Sequence, residues 1–262
     1  MAVVAMTREM GALGDDVAVA VATLHGLEVV QHEQVDHHVA EKVEADDGLV
    51  HRYLEGESTL LERWKIDTAR LSRTTAEEII EQALRGNVVI RGWGAVSLLR
   101  RFPHVLRVRV CAPMSVRIER IMRRLGTTDE ARVRREIERR DAAHAGTISR
   151  HSGPDWQSPD LYHLVLNTGL VPVEACTGAI SQLLRSSVVR ETPVSRQVLT
   201  DHLLTLRIRG ALEHAFGPHH HIDITVENGD AVLSAVRGDQ TLLLQASGIA
   251  RGVKNIERVS IG

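Results

Sequence analysis

The sequence predicts an α/β protein: a parallel sheet with helices packed on both faces, followed by a small α+β domain. Three observations carry this. Apolar runs at Val3–Met6, Leu27–Val30, Asn87–Arg91, Val105–Val110 and Leu161–Leu166 alternate with helical stretches up to about residue 185. Such alternation is the grammar of parallel strands joined by crossovers. The first run is continuous rather than alternating, as suits a strand buried on both faces. After residue 196 the order becomes helix, strand, hairpin turn, strand, helix, strand.

Composition narrows the function classes. The chain has 262 residues, 43% hydrophobic, which is enough to bury a sizeable core. A net charge of −2 argues against nucleic-acid binding driven by bulk charge. Aromatic residues at 3% argue against stacking platforms for single strands. Cys111 and Cys176 sit in apolar stretches without metal-ligand spacing and read as reduced core thiols. The start, MAVVAM before Thr7-Arg8-Glu9, lacks the basic region and long apolar run of a signal peptide. No apolar run approaches the roughly 20 residues that span a bilayer. The expected location is the cytoplasm.

In chain order, Val3–Met6 is the first strand, and the Gly-containing turn of Glu9–Gly14 leads into a helix through Val17, Val21 and Leu24, stopped by Gly26. Strand, glycine turn and helix place free backbone N–H groups in front of a phosphate. A full phosphate loop reads G-x-x-x-x-G-K-[ST]. Here Gly14 stands where the Lys belongs, with Asp15 and Asp16 after it. His32–His38 reads as an exposed loop entering a helix at Val39–Val43, in preference to a metal site. Residues 58–86 read as helix in two pieces, with Leu60, Leu61 and Trp64 on one stripe and Thr74-Thr75-Ala76-Glu77 as a capping box.

Asn87–Arg91 is a strand, and Gly92-Trp93-Gly94 turns into a helix that Pro103 breaks. Val105–Val110 follows, then an Arg-rich helix over Met114–Leu125. Residues 126–150 carry Arg132, Arg134, Arg135, Arg139 and Arg140. They read either as a solvated helix pair with Arg132–Glu136 and Arg134–Glu138 ion pairs, or as an arginine-rich flap that closes over phosphates. Leu161–Leu166 is the next strand and Val173–Leu184 the closing helix. Ligands in such sheets bind beyond the C-terminal ends of the strands, where the Gly11 and Gly92 turns lie. The polar stretch 188–196, with Pro193, is a linker between domains at 1–187 and 197–262. In the second domain Asn228-Gly229-Asp230 is a hairpin signal, and His219–His221 reads as a surface loop.

Residues 3–185 resemble the cytidylate kinase-like family, relatives of nucleoside monophosphate kinases. The resemblance is carried by TREMGALGDDVA (7–18), VIRGWGAVSLL (89–99), VCAPMSVRIERI (110–121), RRDAAH (139–144) and DLYHLVLNTGLVPVEA (160–175), and by the spacing between them. Residues 196–262 resemble a BON domain through IDITVENGDAVLSAV (222–236) and ARGVKNIERVSI (250–261).

The first resemblance implies a P-loop sheet with an Arg-rich lid and transfer of a phosphoryl group from ATP, with Mg²⁺, to a monophosphate such as CMP. It implies cofactor contacts at Arg8, Gly11, Ala12, Gly14, Asp15 and Asp16. It implies substrate contacts at Gly92, Trp93 and Gly94, and catalytic roles for Arg117, Arg132, Arg135 and Asp141. No resident metal site is implied. The chain departs from the pattern in several places: there is no P-loop Lys, Leu13 replaces a glycine, Asp15 and Asp16 replace basic or hydroxyl residues, and Trp93 and His144 stand where arginines are expected. These departures point to a nucleotide-binding or regulatory protein with weak or no phosphotransfer. Two other readings stand beside it: an active kinase that uses lid arginines, and a ligand-free interaction scaffold. The BON resemblance implies a module for a protein or membrane-associated partner.

Overall fold

The computed structural model describes residues 1–30, 32–54, 58–59, 67–92, 94–152, 156–218, 221–235 and 239–262. Leu60, Leu61, Trp64, Trp93, His219 and His220 lie outside the described residues, as does the side chain of His144. The chain divides into two compact units, Met1–Glu191 and Thr192–Gly262.

The first unit is built on a five-stranded sheet: β1 (Val3–Arg8), β2 (Glu28–Val30), β3 (Val88–Arg91), β4 (Val105–Cys111) and β5 (Leu164–Asn167). Every pairing is parallel and the spatial order is β2-β3-β1-β4-β5. β1 is central, and Val3, Val4, Ala5 and Met6 are all buried, which explains its unbroken apolar run. Val4 and Met6 pack with helix α1 (Gly14–His25) and, further along the chain, with the helix Val173–Leu184 in one core. Gly26 ends α1 in the left-handed conformation, as its position in the sequence suggests.

Helix α2 runs His32–Val43, so the His-rich stretch read as a loop is already helical. Val35 and Val39 explain this: they are one turn apart and both buried, and they outweigh the polar residues between them. Helix α3 spans Asp47–Leu54 and helix α4 spans Thr68–Arg85. Asp67, not Thr74, caps α4, its carboxylate accepting from the N–H groups of Ala69 (3.1 Å) and Arg70 (2.9 Å). Thr74 and Thr75 are buried mid-helix, and the Thr75 hydroxyl donates back to the Leu71 carbonyl.

A short helix, α5 (Ala95–Leu98), follows β3, and α6 (Met114–Leu125) follows β4. Residues 130–152 form one continuous helix, α7 (Glu130–Ser152), rather than a helix pair. Its anchor is Val133 and Ile137, one turn apart, which pack on Ile118 and Ile121 of α6 beside Met10. Helix α8 (Val173–Leu184) closes the unit. Both cysteines are free, Cys176 being buried.

The second unit has the expected order: α9 (Pro193–Phe216), β6 (Ile222–Glu227), β7 (Asp230–Ala235), α10 (Gln240–Arg251), β8 (Arg258–Ile261). α9 begins inside the stretch read as a linker, with Thr192 and Ser195 forming a reciprocal cap. β6 and β7 pair antiparallel across an Asn228-Gly229 turn in which both residues have positive φ. β8 pairs parallel to β7. Ile222, Ile224 and Val226 alternate inward against Leu204, Ile208 and Leu212. The buried Asp201 carboxylate of α9 accepts from the N–H groups of Asn228 and Gly229, each at 2.9 Å. Among the described residues no helix is long and apolar enough to cross a membrane.

Candidate functional site

The parallel register brings Arg8, Arg91 and Cys111 to the C-terminal edge of the sheet, on β1, β3 and β4. The turn 9–13 leaves this edge and enters α1. Its shape depends on positive φ at Gly11 (81°) and at Leu13 (φ 55°, ψ 28°). A side chain at Gly11 would press within about 3.1 Å of the Arg117 carbonyl oxygen. Leu13 holds a left-handed conformation that normally costs an L-residue about 1–2 kcal/mol. The turn thus keeps its path without the glycine. Gly14 gives Arg8 room: a Cβ there would lie 2.6 Å from that of Arg8.

Buried charges fix this turn to the rest of the unit. The Glu9 carboxylate accepts from Arg109 Nη2 (2.7 Å) and from the Ala112 N–H (3.2 Å), and lies 3.6 Å from Arg117 Nε. Arg117 donates to Asp141 Oδ2 at 2.6 Å, and the other Asp141 oxygen accepts from the Met10 N–H (3.3 Å). Arg120 donates to Thr168 and to the Gly11 carbonyl, and the Thr168 hydroxyl donates to the Ala12 carbonyl at 2.8 Å. Arg109 also lies 4.9 Å from the centre of the Trp156 ring. Burial, aided by the Glu9 charge, pushes the Cys111 thiol up.

Above the turn opens a cleft of about 1300 Å³ between α1, α6 and α7. Arg8, Gly11, Gly14, Asp15, Asp16, Arg132, Arg135 and Asp141 all line it. The other candidates sit elsewhere. Arg117 is buried against Glu9 and Asp141 and is not on the cleft wall. Ala12, within the turn, is buried and does not line the cleft. Gly92 and Gly94 shape the β3–α5 turn with positive φ and do not line the cleft. Trp93 lies outside the described residues.

The ion pairs of α7 differ from those expected by spacing. Arg139 and Arg140 both donate to Glu136, at 2.9 and 2.8 Å, and Arg134 pairs with Glu130 at 3.1 Å. The bonds from Arg139 and Arg140 hold the Glu136 carboxyl down at about 2. Glu136 is therefore taken, and Arg132 and Arg135 have no carboxylate partner among the described residues. Two features escaped sequence reasoning. Arg120 ties the Gly11 carbonyl of the turn to Thr168, and Arg91 bonds Asp15; neither has a local signal, since their partners lie 48 to 109 residues away.

A parallel sheet in this order, with a glycine turn feeding α1 and an arginine-bearing helix above it, defines a protein of the P-loop kinase fold. The chain belongs to the cytidylate kinase-like family, whose model matches residues 3–170. Among solved structures, an uncharacterised protein from Eubacterium ventriosum is similar over 71% of this chain and 99% of its own, with TM-score 0.56 and 19% identity. Shikimate kinase from Acinetobacter baumannii is more distantly similar: TM-score 0.40, 17% identity, 72% of this chain and 96% of its own. At 19% identity the likeness to the Eubacterium ventriosum protein is one of fold. No curated protein matches the chain.

Proposed function

We propose that the chain binds a nucleotide in the cleft between α1 and α7, holds its phosphates chiefly through α7 arginines, and transfers phosphoryl groups weakly or not at all. The observation that carries this is the pairing on α7. Glu136 is occupied by Arg139 and Arg140, which leaves Arg132 and Arg135 facing the cleft without a carboxylate partner among the described residues. Arginine's planar fork suits phosphate oxygens. The same cleft carries Asp15 and Asp16 at the start of α1, directly after Gly14, which stands where a phosphate loop has its Lys. Phosphoryl transfer rests on positioning and charge stabilisation, so a missing cation followed by two carboxylates opposes the transition state.

ATP bound here would supply the transferable phosphoryl group, and Mg²⁺ would offset phosphate charge. Among the described residues no group of three or more His, Cys, Asp or Glu is placed to hold a metal. Mg²⁺ is commonly held by one or two carboxylates together with substrate phosphates, and Asp15 and Asp16 are candidates on the cleft wall. Gly11, Ala12 and Gly14 shape the turn below the phosphates, and Asp141 and Arg117 hold α7 against it.

A second reading, an active nucleotide kinase, draws on the same unpaired Arg132 and Arg135. For the second unit, the α-β-β-α-β order supports a BON-like module for a protein or membrane-associated partner. The test is thermal stability with Mg-ATP, CMP, dCMP, AMP and UMP, singly and in pairs. Ligand at 100 times Kd stabilises by about 2.7 kcal/mol. The expected result is a nucleotide-dependent rise that Arg132→Ala and Arg135→Ala remove while the fold persists. No rise at millimolar nucleotide overturns the reading and favours a ligand-free scaffold. Rapid turnover of any monophosphate overturns the weak-transfer part.

A further inference from the structure

We propose that Arg8 and Arg91 form an oxyanion clamp whose resting occupant is the chain's own Asp15 carboxylate, and that a phosphoryl group must displace Asp15 to bind there. The inference rests on the reading of this cleft as a phosphate site and names the residue that competes for it.

One carboxylate oxygen serves both cations. Asp15 Oδ1 accepts from Arg8 Nε at 2.8 Å and also from Arg91 Nη1. The Arg91 side chain is only 12% exposed, and its buried Nε has no hydrogen-bond partner among the described residues. The clamp therefore offers more N–H groups than Asp15 satisfies. A guanidinium presents five donors in a fixed fork. A phosphoryl group, with three terminal oxygens, would meet the Arg8 and Arg91 N–H groups that Asp15 now occupies, and would add charge to a pair of cations that one carboxylate half neutralises.

The geometry holds the arginines in place and leaves the carboxylate free to leave. Arg8 lies across the start of α1 only because Gly14 has no side chain, and Arg91 is fixed at the end of β3. Asp15 is 58% exposed, on the first turn of α1. An ion pair this wet is held weakly, so rotation of Asp15 into water costs little. The helix N-terminus favours an anion whichever one is bound. Asp16 lines the same cleft and pairs with neither arginine, so Asp16→Asn, titrated without Mg²⁺, measures the loss of one cleft carboxylate with the clamp's occupant still in place.

The experiment is calorimetric titration of the full chain with inorganic pyrophosphate, and separately with CMP and ATP. The proteins are wild type, Asp15→Asn, Asp16→Asn, Asp15→Asn with Arg91→Leu, Asp15→Asn with Arg91→Lys, and Arg132→Ala. Asp15→Asn is expected to bind at least tenfold tighter than wild type, and Asp16→Asn no more than about threefold. Arg91→Leu should cancel the gain, and Arg91→Lys should keep part of it, which shows that the charge and not a damaged fold is read. A gain for pyrophosphate alone assigns the clamp to free phosphates; a gain for CMP or ATP assigns it to a nucleotide phosphoryl group. Equal gains from Asp15→Asn and Asp16→Asn overturn the clamp, as does a gain that survives Arg91→Leu. Nucleotide binding that Arg132→Ala abolishes but Asp15→Asn leaves unchanged overturns the clamp and spares the phosphate cleft. No binding by any protein overturns both.

Discussion

Glu9→Gln should destabilise the first unit by about 3 kcal/mol. Glu9 is buried, and its two oxygens serve Arg109 Nη2, the Ala112 N–H and, at longer range, Arg117 Nε. Glutamine keeps the shape but replaces one oxygen with an NH2. Whichever way the amide turns, that NH2 meets a donor, either Arg109 or the Ala112 N–H. Two buried guanidinium groups also lose their shared negative charge. Breaking one partner out of a buried pair costs about 3–5 kcal/mol. Asp141 still serves Arg117, and the Gln157 carbonyl still accepts from Arg109, which favours the lower end. The assay is urea unfolding followed by tryptophan fluorescence. Trp64, Trp93 and Trp156 all belong to Met1–Glu191, so the signal reports that unit alone. With m of about 2 kcal/mol/M, the midpoint should fall by about 1.5 M. Adding Arg109→Gln should cost less than the two single changes summed. A fall below about 0.5 M, or strict additivity, would refute the view that Glu9 anchors the turn by charge.

Leu13→Gly should be about 1 kcal/mol more stable than Leu13→Ala by the same assay; both lose the side chain, but only glycine relieves the left-handed backbone, less its own entropy cost of about 0.5–1 kcal/mol. The opposite order would refute the strain. Asp201→Ala should cost the second unit about 3 kcal/mol by leaving two turn N–H groups unpaired, seen as roughly 100-fold faster amide exchange along β6 and β7. Glu136, held at about 2 against an ordinary 4.5, contributes stability that is full above pH 4.5 and is lost as pH falls through 2. Its exposure keeps that contribution under about 1 kcal/mol. NMR titration should find its carboxyl ionised well below pH 4, and Arg139→Gln with Arg140→Gln should return it toward 4.5.

The sheet was legible because its signals are local. β1 is an unbroken apolar run, Gly26 stops α1, and Asn228-Gly229 turns the β6–β7 hairpin. The errors arose where a local signal competed with burial. The polar letters around Val35 hid a helix face, and Thr74–Glu77 looked a better cap than Asp67. In the site, spacing along α7 suggested that Glu136 neutralises Arg132, whereas the folded helix gives Glu136 to Arg139 and Arg140. Charge patterning also fails to separate an inward arginine from an outward one. Arg117 looked like Arg132, yet it faces Glu9 because Ile118 and Ile121 turn that side of α6 toward α7. The tie between Asp15 and Arg91 spans 76 residues, beyond any local pattern.

The way α7 is fastened bears on how fast a ligand is captured. Val133 and Ile137 seat its first half, and Asp141 bolts that half to Met10 and Arg117. Arg132 and Arg135 therefore ride on a helix ordered by folding. A polyanion arriving in the cleft has side-chain rotamers to restrict, Arg132 and Arg135 among them, and Asp15 to displace, but no segment of α7 to freeze, so little ordering entropy is lost on binding. Capture should then be a single step steered by charge, its rate falling as salt rises, with no slower closing phase behind it.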